Sequence, residues 1–163
     1  MGLAEVSSTL WRERELLDLL LFKLEEEQLL LGAGKGRWLA RASREVEVVL
    51  EEINKSELRR AVEVDQLAEQ LQIPSAPSLS SLAEAVDEPW RGIFREHRRA
   101  FRTLTDQIST LAEANRAAIS ADYRDSYDAL RALGASEAEI DPAAGVPARA
   151  GCDPQLRLVD GAR

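Results

Sequence analysis

The stretch from about Pro89 to about Leu133 constrains the fold most, because it reads as one uninterrupted helix. Phe94, His97, Phe101, Leu104, Ile108 and Leu111 recur at alternating steps of three and four. That alternation is the seam of a helix laid along other helices. At Asn115 the seam turns polar, and the steps become fours through Ile119, Tyr123 and Tyr127. An inserted four-residue step unwinds a supercoil locally and swings the apolar stripe to a new side. The first half of this helix suits a tight bundle, and the second half suits some other contact.

Two further long helices are predicted before it. Ser7, Ser8 and Thr9 offer N-caps for the first, which runs to about Leu31 and stops at Gly32. Leu10, Leu17, Leu24 and Leu31 fall seven apart along it, and Leu16, Phe22, Leu29 and Leu30 widen the stripe towards two neighbours. The run Glu25, Glu26, Glu27 reads as a solvated face. The second helix spans about Arg37 to Gln72, with Leu39, Ala42, Val46, Val49 and Ile53 inward. Its stripe fades at Ser56 and Arg60, as if one partner were lost there, and resumes at Val64, Leu67 and Leu71. Trp38 at its start is placed to cover the hairpin or face a partner. Pro74, Pro77 and several serines then make a loop, a short helix follows from about Leu79 to Val86, and Pro89 takes the first position of the long helix.

The fold class is therefore all-α: an elongated antiparallel bundle or coiled coil of three main helices, the last one longest. Residues 1–140 form the bundle domain, and residues 141–163, rich in Pro, Ala, Gly and Arg, are expected to be disordered. At 1.5 Å per residue the three helices come to about 36, 54 and 69 Å. Folded up-down-up, the first covers about two-thirds of the second, and the third overshoots both by about two or three turns, from near Asp122. Tyr123, Tyr127, Leu130 and Leu133 then lack cover from their own chain. A stripe of that kind is a contact site for another molecule or for a second copy.

Composition excludes several functions. The net charge of −8 disfavours nucleic-acid binding and an anionic membrane surface. Arg91, Arg95, Arg98 and Arg102 do form a basic stripe beside Trp90, Phe94 and Phe101. The acidic chain favours their pairing with Glu63, Asp65 and Glu69 of the second helix over phosphate contacts. One cysteine, Cys152, and one histidine, His97, allow neither a disulfide framework nor a Cys/His metal cluster. His97 reads as a core residue and Cys152 as an incidental thiol. Gly32-Ala33-Gly34-Lys35-Gly36 is not a phosphate loop, since a helix precedes it and Arg37 follows the lysine–glycine pair. The start of the chain has no basic segment, position six is Val6 rather than Ser or Thr, and the run Leu16 to Leu24 is broken by Asp18 and Lys23. Secretion, myristoylation and membrane spanning are therefore not expected, which places the protein in the cytoplasm. No catalytic, cofactor or metal residues are assigned, and an enzyme is not expected.

These residues carry a family likeness. Leu16-Leu17-Asp18-Leu19-Leu20-Leu21-Phe22-Lys23-Leu24-Glu25-Glu26-Glu27 resembles the first helix of the FlgN-type flagellar export chaperones. Leu111-Ala112-Glu113-Ala114-Asn115-Arg116 resembles their late-helix segment, and Asp125 to Gly134 their helix end. Ala118 stands where that family often has a second Asn. The likeness covers about residues 10–134. It implies a cytosolic chaperone, without cofactor, that binds the amphipathic C-terminal helix of hook–filament junction proteins. Such a chaperone prevents their early assembly and passes them to components of the export apparatus. Leu111, Asn115, Ile119, Tyr123, Tyr127 and Leu130 are the candidate contacts, the first two at the edge. The alternative is a structural coiled-coil adaptor without a client, in which the same stripe is a homodimer interface. Leu156 and Val159 offer a short docking peptide in the tail.

Overall fold

The computed structural model describes residues 2–134. The tail with Cys152, Leu156 and Val159, its expected disorder, and the end of the bundle domain lie outside the described residues. Within them the chain forms α1 (Leu3–Gly32), α2 (Gly36–Leu71), α3 (Leu79–Glu84) and α4 (Trp90–Ala132).

Helix α1 begins earlier than its hydroxyls suggest. The Glu5 carboxylate accepts a hydrogen bond from the Gly2 amide at 2.7 Å, which stabilises a first turn already anchored by fully buried Val6. Ser7 and Thr9 lie inside the helix and are buried instead of capping it. The added turn makes α1 30 residues long, about 45 Å. It therefore runs along nearly all of α2 and not two-thirds of it.

The α1–α2 hairpin closes through two backbone hydrogen bonds, Lys35 to Leu30 at 3.0 Å and Gly34 to Leu31 at 3.2 Å. Gly34 sits at φ +65°, a conformation that a β-carbon would strain. Helix α2 stops at Gln72, itself left-handed. Ser78 caps α3 by accepting from the Ser81 amide at 3.1 Å. Pro89 stands one place earlier than its ring geometry suggests, as the cap of α4 instead of its first residue.

Helix α1 is the shared partner, packed on α2 along one side and on α4 along another, while α3 packs on α4. Helices α1 and α2 run antiparallel, with Glu27 near Ser43 at one end and Glu13 near Arg60 towards the other. Helices α1 and α4 run parallel, with Ser7 beside His97 and Leu24 beside Asn115. Leu10, Leu17, Leu20, Ile53, Phe94 and Phe101 fill the core between them, each almost fully buried.

Polar groups are threaded through this core. The polar gap of α2 is not a lost partner, because Arg60 reaches across to completely buried Glu13 at 3.0 Å. Glu27 is also fully buried, so the acidic run is not a solvated face throughout. Its carboxylate accepts from the Ser43 hydroxyl at 3.1 Å and from the Asn115 side-chain amide at 3.2 Å. The same Asn115 nitrogen donates to the Leu24 carbonyl at 2.8 Å. One clasp thus joins α1, α2 and α4.

Glu63 and Asp65, expected to pair with the arginines of α4, make other contacts, and so does Arg91. Glu63 pairs with Arg59 at 2.9 Å, and Asp65 accepts from the Ala76 amide at 2.6 Å. Arg91 turns to the Val86 carbonyl and to Asp87. The reason is topological: α4 lies against α1, and α3 packs beside the start of α4.

Replacing Asn115 with Ala removes the donor from a buried carboxylate and a buried carbonyl. Unfolding in urea is expected to show a loss of about 2–3 kcal/mol. Ser120→Ala, at an exposed site one turn further on, should stay within about 0.5 kcal/mol of the parent.

Candidate functional site

The parallel packing of α1 and α4 fixes where the long helix runs out of partners. Asn115 still touches α1, and Ala118 and Asp122 still line a cleft of about 390 Å³ against Leu31, Gly32, Gly34 and Leu39 of the hairpin. Tyr123–Ala132 then continues past that hairpin, about 15 Å of helix. The overshoot expected from the helix lengths is present, although α1 is longer than expected.

The candidate residues divide along this axis. Leu111 is half-buried and packs against the core. Asn115 is 1% exposed, with its amide donated inside the clasp, so it roots the tip instead of facing outward. Ile119, Tyr123 and Tyr127 are half-buried, and Leu130 is 45% exposed. At 3.6 residues per turn, Ile119, Tyr123, Tyr127 and Leu130 fall within about 80° of one another on the side that carries Phe94, Phe101 and Ala112 below. The strip thus prolongs the core face of α4, partly shielded as far as Tyr123 and more open towards Leu130.

Tyr123 is the transition residue, since its hydroxyl is shielded from solvent and has no hydrogen-bond partner. The Arg131 guanidinium lies 6.0 Å from the Tyr127 ring centroid. Leu133, 84% exposed at the C-cap, extends the strip, and Gly134 at φ +85° ends the helix. The hairpin wall of the cleft was not legible in sequence, because only the parallel register of α1 and α4 brings Leu31 and Leu39 beside Ala118. Phe22 and Leu29, expected to widen the packing of α1, are 54% and 73% exposed on its outer side. Trp38 is 45% exposed beside the Arg37 guanidinium, facing outward at the same end of the bundle as the strip.

The titratable groups in the core serve packing. His97 is 1% exposed, with Nε2 at 3.3 Å from the Ser7 hydroxyl and its ring between Trp11 and Phe101. Burial, and next the nearby Arg14 charge, lower its pKa to about 4. Burial raises that of Glu13 to about 7 against the opposing pull of Arg60. Among the described residues no group of three or more His, Cys, Asp or Glu side chains could hold a metal ion, and no helix is long and apolar enough to cross a membrane.

A family model described as FlgN protein matches residues 1–139. The chain belongs to the FlgN family, the flagellar export chaperones. Searches of curated proteins and of solved structures give no match.

The two buried groups oppose each other with pH. His97, protonated less readily when folded, costs stability as pH falls from 6.5 to about 4. Glu13, protonated more readily when folded, costs stability as pH rises from 4.5 to about 7. Each contribution is on the order of 3 kcal/mol, so between them the pair gives little net slope from about pH 4.5 to 6.5. Each variant exposes the other group. His97→Gln should lose stability as pH rises through that window, and Glu13→Gln should gain it. Guanidinium unfolding at several pH values reads both slopes.

Proposed function

We propose that this protein is a cytosolic export chaperone for hook–filament junction proteins. It binds their amphipathic C-terminal helix on the strip Ile119, Tyr123, Tyr127 and Leu130, with Leu111 and Asn115 at its root. One observation carries the reading: the face that is buried along α4 continues past the α1–α2 hairpin, where its apolar residues become half-buried at Tyr127 and exposed at Leu130 and Leu133. A client helix lying there completes the bundle and loses the apolar surface through which it would assemble early.

Magnitudes support the fit. Four anchors bury roughly 400 Å² of apolar surface on this side, worth about 10 kcal/mol at about 25 cal/mol per Å². Lost freedom and ordering of the client offset part of that, which leaves a Kd between about 1 μM and 1 nM. Binding of this kind needs no nucleotide and no cofactor. The chaperone then passes the client to components of the export apparatus, where the helix is released for transport.

Charge placed on the strip tests the reading. Tyr127→Asp and Leu130→Asp should each weaken capture of a junction protein's C-terminal helix by about a hundredfold, the scale of a lost central anchor. Helicity by circular dichroism should stay within a few per cent of the parent, because both residues lie beyond the bundle. Capture that persists within threefold in the double variant places the site elsewhere.

A further inference from the structure

The strip has edges as well as an apolar floor, and the edges differ in charge. With Ile119, Tyr123 and Leu130 as the midline, Arg124 and Arg131 fall about 100–120° to one side at 3.6 residues per turn. Asp122 and Asp125 fall about 80–140° to the other. All four are exposed. Two contacts fix the assignment: Arg131 leans towards the Tyr127 ring, and Asp122 lines the cleft with Ala118.

We propose that the occupant of the strip is a helix of another protein with segregated edges, and not a second copy of this chain. One edge of that helix is acidic and meets Arg124 and Arg131; the other is basic and meets Asp122 and Asp125. The inference rests on the reading of the tip as a client site and adds what selects the client.

A second copy fails in both directions. Two parallel α4 tips would bring the arginine edge of one against the aspartate edge of the other, which is attractive. The incoming α4 would then run down the same face towards its own bundle, into space that α1 already fills at Leu24 and Glu27 against Asn115. Two antiparallel tips avoid that collision, since each bundle lies beyond the other's end. Like edges then face like, arginine against arginine and aspartate against aspartate, which is repulsive. A helix without a bundle of its own escapes both obstacles and also reaches the cleft wall at Leu31 and Leu39.

The test uses the full chain and two synthetic helical peptides of one composition and one apolar face. In the first, Glu lies along one edge and Lys along the other. In the second, Glu and Lys alternate along both edges. The segregated peptide should bind about tenfold tighter at low salt, the sum of several exposed ion pairs, and the advantage should shrink in high salt. Arg124→Glu combined with Arg131→Glu should abolish the preference. Equal affinity for the two peptides, or failure of both to bind, overturns the proposal. So does sedimentation as a dimer that Leu130→Asp dissociates, since a second copy is then the occupant. Absence of a preference while a junction protein's C-terminal helix is still captured sinks the edge assignment alone. Failure to capture that helix sinks the client reading beneath it.

Discussion

The buried clasp of Glu27, Ser43 and Asn115 sets the register on which the rest of the molecule depends. Apolar seams of leucine and alanine tolerate sliding, because one turn resembles the next. A carboxylate without exposure does not tolerate it. Moving α4 by one turn would carry the Asn115 amide away from Glu27 and Leu24, and would leave a buried charge short of a donor. Removing one partner from a buried charged group costs several kcal/mol, more than a seam of this kind gains from any alternative alignment. Register fixed at Asn115 is also length fixed beyond it, so the clasp determines how much of α4 stands past the hairpin.

The other buried polar pairs index the remaining interfaces. Glu13 with Arg60 ties α1 to α2 away from the hairpin, and His97 with Ser7 ties α1 to α4 near the start of the bundle. Each long interface of α1 therefore carries a polar contact towards either end. This explains how a chain of few aromatics holds three narrow helices in one alignment. It also explains why the pH responses of His97 and Glu13 oppose each other: one is a base and the other an acid, and burial favours the neutral form of both.

Much of this was legible in the sequence. The three long helices, the short α3 and the overshoot of α4 follow from periodicity, breakers and the rise per residue. Three features were not. The start of α1 was obscured because Ser7 and Thr9 resemble caps, while both are buried inside the helix and the Ser7 hydroxyl meets His97. Glu27 sits in a run of three glutamates, and helical phase alone does not say which of them faces inward. The arginines of α4 were matched to α2 on the assumption that antiparallel neighbours touch. In the structure α1 stands as the shared partner, and Glu63 and Asp65 make local contacts, with Arg59 and with the Ala76 amide. The steps of four after Leu111 place Ile119, Tyr123 and Tyr127 on one face of α4, as the helix in the structure does. The cleft wall was not legible, because it is made by residues about ninety positions away in sequence.

A helix tip beyond a bundle would be a poor binding surface if it were only a rod. Contact between two isolated helices buries one seam, and ordering the partner offsets most of that gain. The hairpin alters the balance. Leu31 and Leu39 form a wall beside Ala118 and Asp122, so a helix seated on the strip meets a second apolar surface at its inner end. Small side chains make that approach feasible: Gly32, Gly34 and Gly36 on the hairpin and Ala114 and Ala118 on α4 leave the cleft open. Tyr127 suits a surface that is wet before binding and dry afterwards, since it presents an apolar ring and a polar tip. On the proposed reading, the strip is thus partly shielded when empty and three-sided when filled, so that a client helix could seat without the bundle opening.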